Sequence, residues 1–281
     1  LQAVHERSEA LGHLVQGITG IEHYYRQFGY AMAVDLGGAA AVPTMSIRPL
    51  KDDETPKYTL RQATEADIPD LVALEETAGK RGILSTVWNE RMWRYDLLES
   101  SRGTAVSNTY HMIVDAEETT VGYVSLMPIS EKSKHQPINR YVLNQQASYF
   151  TTFNDVMRSI EQLAKQTSDM VQMMTFASNT SPELLQMIRY IFGAQIRERR
   201  YAWYLRMPDQ AKFFQTIAPV LEWRLHGSVA HGYTGDFKVG FYNFTYLEMR
   251  FENGKLIAVE NKQMAEEAVQ VDAQFPFETW Y

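Results

Sequence analysis

GITGIEHYYRQFGY, residues 17–30, sets two adjacent tyrosines in a short run that closes on a glycine. Ile21 to Phe28 reads as a helix, with Gly29 where a helix C-cap wants a left-handed residue. Ahead of it, His13 to Ile18 reads as a short apolar strand. Further back, LQAVHERSEALGH reads as a helix with Val4, Ser8 and Leu11 on one face and Glu6, Arg7 and Glu9 turned outward. Behind Gly29, Met32, Val34 and Leu36 alternate as in a strand that ends at Gly37-Gly38. Helix, strand, helix and strand this short cannot bury both faces of their sheet, so more sheet is required. Leu1 stands inside a helical pattern with no cap or lead-in, which makes the expected start a point partway through a domain.

The same order of elements returns downstream. Residues 39–57 carry three prolines and a charge run without periodicity, and read as a linker. Residues 58–206 restart a domain. Tyr58 to Arg61 is a short strand, and ATEADIPDLVAL follows as a helix capped by Thr64, with Asp67 at the third position. A second amphipathic helix carries Met92, Trp93, Leu97 and Leu98, and YHMIVDAEETTVGYVSL reads as a hairpin. Tyr141 to Leu143 and Val171 to Phe176 read as strands, Asp155 to Lys165 and Pro182 to Phe192 as helices, and Tyr201 to Leu205 as the closing strand. Residues 207–281 change character: a helix bent at Pro219, then strands, with a hairpin about Asn253-Gly254.

Length and composition bound the function. At 281 residues about two domains are expected, and 45% apolar with 22% charged residues is a globular profile. No apolar run reaches the roughly 20 residues of a membrane span, and no signal peptide is visible. The absence of cysteine removes disulfides, thiolate nucleophiles and cysteine zinc sites, and fits a cytoplasmic protein. The seven histidines form no zinc-binding spacing, so no metal is expected. With a net charge of −7 and scattered basic residues, of which Arg197 to Arg200 is the densest cluster, nucleic-acid binding is not expected.

The GITGIEHYYRQFGY segment resembles the last catalytic element of Gcn5-related N-acetyltransferases, where a tyrosine sits four residues before the glycine that ends the helix. Tyr25 and Gly29 have that spacing. YTLRQATEADIPDL, the hairpin and the helix ending in RYIFGA repeat the family's order within residues 58–206. Two such units followed by a small sterol-carrier-like domain resemble the enhanced-intracellular-survival-type acetyltransferases. The resemblance implies an α/β (α+β) architecture: tandem mixed sheets flanked by helices, then a sterol-carrier-like α+β domain. Residues 1–38 would be the C-terminal half of a first unit and 58–206 a second, degenerate one. Residues 207–281 would be an incomplete sterol-carrier-like domain.

That resemblance also implies an activity: transfer of an acyl group from acetyl-coenzyme A to a primary amine, on a small molecule or a lysine. Tyr25 would be the general acid, and His23 and Tyr24 candidates to line the acceptor pocket; the alternative for Tyr25 is a ring that only packs. The pyrophosphate loop of the first unit would precede Leu1. Its counterpart in the second, Gln145 to Asn154, has no glycine and no basic residue, and Arg189 stands where Tyr25 would be matched. No general base is assigned. Glu22 reads as a solvated surface residue, and FPFETWY stops before the family's final helix, so Tyr281 receives no role. Paired homologous domains suggest a homo-oligomer. The competing readings are a binding protein for an apolar ligand, held by Phe237, Phe241, Phe244 and Phe251, and an assembly scaffold.

Overall fold

The computed structural model describes residues 1–21, 23–35, 40–81, 85–100, 107–177, 180–193, 202–264 and 269–276. Glu22, Leu36 to Gly38, Arg197 to Arg200 and Tyr281, named above, lie outside the described residues. Along the chain run α1 (Gln2–Ala10), β1 (Gln16–Ile18), a 3-10 turn (Tyr24–Phe28), β2 (Ala31–Asp35), β3 (Ala40–Pro43) and β4 (Thr59–Gln62). Then come α2 (Ile68–Gly79), α3 (Glu90–Arg94), β5 (Thr109–Val114), β6 (Thr120–Leu126), β7 (His135–Leu143) and α4 (Tyr149–Lys165). They are followed by β8 (Met173–Phe176), α5 (Pro182–Phe192), β9 (Ala202–Arg206), α6 (Gln210–Thr216) and α7 (Ala218–His226). The last strands are β10 (Gly235–Phe241), β11 (Thr245–Glu252), β12 (Lys255–Gln263) and β13 (Ala273–Phe275). Contacts divide the chain into two compact units, Gly37–Arg200 and Leu1–Leu36 with Tyr201–Tyr281.

In the 37–200 unit the sheet order is β3-β8-β7-β6-β5-β4, antiparallel except for the parallel pair β7/β8. α4 is the crossover that a parallel connection needs. Strand alternation sorts the side chains: Tyr110, Met112, Val114 and Tyr123 meet Ile68, Leu71, Leu74 and Trp93 on one face. Ile113, Val124, Ile138 and Tyr141 meet Phe153, Val156, Ile160, Leu184 and Ile188 on the other. Residues 40–43, read from sequence as linker, are the edge strand β3, because a short apolar run finds an open partner in β8. α4 begins at Tyr149, six residues before the expected helix. Tyr149, Phe150, Thr151 and Thr152 have modest helix propensity, but burial of Thr152, Phe153, Val156 and Met157 overrides it.

The Thr64 cap is present as a capping box, with Asp67 accepting from the Thr64 N–H and hydroxyl and pairing bidentately with Arg61. Chiefly the Arg61 guanidinium, and then the Thr64 donors, hold the Asp67 carboxyl down at about 2. A carboxyl lowered on folding contributes stability that is full above its unfolded value near 4 and is lost as pH falls toward 2. Asp67→Asn is therefore expected to cost roughly 2 kcal/mol in urea unfolding at pH 7, with the gap to wild type closing between pH 4 and pH 2. At Gly122 in β6, an added Cβ would overlap the carbonyl oxygen of Val142 in the neighbouring strand. Gly122→Ala must push the two strands apart, and a loss of about 1–3 kcal/mol in the same assay is expected.

In the other unit, β9 is the centre of a three-stranded antiparallel sheet, β1-β9-β2, with Gln16 opposite Arg206 and Met32 opposite Tyr204. Sequence order had attached this strand to the 58–206 segment; its hydrogen bonds go to β1 and β2. Of the expected apolar face of α1 only Ser8 is buried, its hydroxyl bonded to His13 Nδ1 at 3.1 Å, while Val4 and Leu11 are exposed. The second sheet has the order β12-β11-β10-β13. Asn253 (φ 50°) and Gly254 (φ 77°) turn β11 into β12 with both residues left-handed, as a type I′ turn demands. The expected bent helix is two helices that meet at Ile217, with Pro219 in the first turn of α7, where its missing N–H costs nothing. Among the described residues no helix is long and apolar enough to cross a membrane.

Candidate functional site

Tyr25 lies in the 3-10 turn between β1 and β2, not in a full helix, and Gly29 ends that turn at φ 80°. The Gly29 N–H donates to Arg26 O, and the Tyr30 N–H to Tyr25 O. A residue with a Cβ would be strained at Gly29, so this glycine sets where the turn stops and β2 begins. The half-buried Tyr25 ring meets Tyr24 edge-on at 5.2 Å between centroids, Tyr204 at 5.6 Å and Tyr30 at 6.2 Å. Gly20 faces it so closely that a Cβ there would come within 2.9 Å of the Tyr25 hydroxyl. Tyr25 thus has its ring fixed from three sides and its hydroxyl beside a stretch of bare backbone.

The two other residues singled out by sequence are nearby but exposed. Tyr24 packs its ring on Tyr25 and Phe28, and 47% of the residue remains open to solvent. His23 is left-handed at φ 65°, and its N–H donates to the Tyr204 hydroxyl at 2.5 Å. Sequence reasoning missed the rest of this neighbourhood. His5 Nε2 and the Tyr30 hydroxyl are 3.0 Å apart, and Arg206 Nη1 donates to Gln16 Oε1 at 2.9 Å. Burial first, and the Arg206 charge second, lower the His5 pKa; burial raises that of Tyr30. Gln16 is buried, and its Nε2 has no acceptor among the described residues. His5 stands on α1 and Arg206 on β9, so no local motif could have joined them to Tyr25. His5 comes there through its contact with Tyr30, and Arg206 through the pairing of β9 with β1 and β2.

Gln145 to Asn154, expected as the pyrophosphate loop of a second unit, span the start of α4. Just ahead of α4, Asn144 Oδ1 accepts from Gln146 N at 2.9 Å and Ala147 N at 3.2 Å, and in its first turn Ser148 Oγ accepts from Thr151 N at 3.3 Å. Gln145 to Asn154 carries no glycine that would let a phosphate approach the backbone closely and no basic side chain. Arg189 is on the surface of α5, whose left-handed end at Gly193 matches Gly29 in geometry alone, and Tyr190 is 91% exposed. Among the described residues no three His, Asp or Glu side chains converge to hold a metal ion. His226 and His231 pack their rings on each other at 4.5 Å.

No family model matches this sequence, and no curated protein does. The folded chain, in contrast, superposes on a GCN5-related N-acetyltransferase from Anabaena variabilis with a TM-score of 0.61 at 13% identity, over 99% of this chain and 64% of that one. A probable N-acyltransferase of unknown function from Enterococcus faecalis gives 0.60 at 13% identity, over 99% and 64%. A GCN5-related N-acetyltransferase from Kribbella flavida gives 0.56 at 14%, over 99% and 63%. The chain thus spans somewhat under two thirds of the length of each. What these superpositions establish is the architecture: the protein has the α+β fold of the GCN5-related N-acetyltransferases.

Proposed function

We propose that the protein is an N-acyltransferase that moves an acetyl group from acetyl-coenzyme A to a primary amine, with Tyr25 as general acid. The observation that carries this reading is the Tyr25 turn. A hydroxyl is held by three aromatic contacts at the end of a turn closed by a left-handed glycine, in a fold shared with acetyltransferases. Acetyl-coenzyme A supplies the acyl group and the sulfur leaving group. The chain's part is to keep a proton at Tyr25 Oη and to hold the ring in place. Gln145 to Asn154 has no glycine and no basic residue to hold a pyrophosphate, so we place no cofactor in the 37–200 unit and read that unit as the degenerate partner in a tandem, cytoplasmic, oligomeric enzyme. His23 and Tyr24, at the rim, would meet the acceptor, and the net charge of −7 favours a cationic amine on a small molecule or a lysine.

The sterol-carrier-like reading of residues 207–281 remains part of this proposal, but a role as an apolar-ligand carrier has less support. Phe241 and Phe251 are buried with Val239, Leu247, Met249 and Val259 in the core of their own sheet. Calorimetric titration of acetyl-coenzyme A into the full-length protein, followed by thiol detection of coenzyme A release with a panel of amines, tests the enzyme reading. Binding and amine-dependent release are expected; the absence of both overturns it.

A further inference from the structure

Arg206 ends β9 two residues after Tyr204, so both side chains leave one face of the strand, about 7 Å apart along it. Tyr204 carries the ring that meets Tyr25. Arg206 Nε lies at the end of the Tyr25 turn, 3.5 Å from where a Cβ on Gly29 would stand. The guanidinium stem runs past that bare glycine, and Nη1 donates to Gln16 Oε1 across the β1/β9 register.

Nothing negative answers this charge. Arg206 is half-buried and pairs with no carboxylate among the described residues; its hydrogen-bond partner there is the neutral amide of Gln16. Gln16 itself is 8% exposed, and its Nε2 finds no acceptor among the described residues. The Arg206 charge also acts on His5 and Tyr30, which are bonded to each other. Burial lowers the pKa of that histidine and raises that of that tyrosine, so neither is charged at neutral pH. A guanidinium drawn partly out of water among neutral groups, beside a buried donor with nothing to bond, is a site short of an anion.

We propose that the acetyl acceptor is a free diamino acid of the lysine or ornithine kind, its carboxylate on Arg206 and its side-chain amine at Tyr25. The inference rests on the acyl-transfer reading of that tyrosine. Two carboxylate oxygens match the planar fork of a guanidinium, and a short methylene chain covers the separation from Arg206 to the Tyr25 ring. Such an acceptor keeps a net positive charge, as the acidity of the chain favours. In the reaction the neutral side-chain amine bonds to the acetyl carbon and the C–S bond breaks. The thiolate takes the Tyr25 proton, and the surplus proton of the nitrogen, passed through water, restores the phenol. The products are an N-acetylated amino acid and free coenzyme A.

The test sets lysine against cadaverine and ornithine against putrescine on the full-length protein, by calorimetric titration and by coenzyme A release. A further acceptor, ε-aminocaproate, keeps the carboxylate and drops only the α-amine. Each amino acid, and ε-aminocaproate with them, is expected to bind at least about tenfold more tightly than the diamines. Arg206→Gln is expected to bring that ratio to about one, and Arg206→Lys to keep part of it, because the charge stays and the fork is lost. Since the charge removed was unanswered, Arg206→Gln should melt no earlier than wild type. Diamines that bind as well as the amino acids overturn the proposal, as does a preference that survives Arg206→Gln. Preferential binding without coenzyme A release from any amine sinks the acyl-transfer reading and the acceptor role with it, and leaves only the carboxylate anchor.

Discussion

Tyr25→Phe is expected to lower the rate of amine acetylation about 10²–10⁴-fold while leaving acetyl-coenzyme A affinity and thermal stability where they were. The substitution removes one hydroxyl and keeps the ring, so the contacts to Tyr24, Tyr30 and Tyr204 survive. The loss belongs to the step in which the departing thiolate takes up a proton. It should therefore appear in kcat and not in KM. Steady-state kinetics on the full-length protein, beside a melting curve for each variant, decide it. A variant that keeps its rate would make Tyr25 a packing residue. A variant that melts early would show that the hydroxyl has a structural task.

The second large effect concerns stability. Glu75→Ala is expected to cost about 3–5 kcal/mol, the penalty for stranding a guanidinium that has lost its buried carboxylate. Arg140 is only 24% exposed, and the Tyr123 hydroxyl, itself buried beside Trp93, loses its acceptor at the same time. Burial is the first cause that pushes the Tyr123 phenol far above its ordinary range, so it cannot ease the loss by ionising. For a unit of this size the melting temperature should fall by roughly 10 °C. Urea unfolding followed by tryptophan fluorescence provides the check. The double variant Glu75→Gln/Arg140→Met should recover most of the stability, because a neutral replacement of both partners leaves no charge behind. Failure of the double variant to recover would show that packing, not the unpaired charge, carries the loss.

What could be read from sequence was what neighbours in the chain decide. The Thr64 capping box, the left-handed stops at Gly29 and Gly193 and the Asn253-Gly254 turn each depend on a few consecutive residues, and each is present. Long-range pairing was not legible. β3 reads as linker until β8 is beside it, and β9 follows α5 in sequence yet pairs with strands at the start of the chain. The same reason divides the candidate site. Tyr25, His23 and Tyr24 sit in one recognisable string, whereas Tyr204 and Arg206 reach them only through the β9 register. The Glu75–Arg140 pair joins α2 to β7 and has no signal in either segment alone.

The place of β9 has a consequence for how the protein is made. Asp35 and Ala202 are direct cross-strand partners, so residues 36–201 amount to one very long hairpin loop. On the ribosome, β1 and β2 emerge well before β9 and wait without the strand that lies between them. At about 5–20 residues per second that wait lasts on the order of 10–30 s, long enough for the 37–200 unit to fold before the first sheet can close. Nascent chains stalled short of residue 202 should therefore show a protease-resistant 37–200 fragment and a sensitive 1–36 segment.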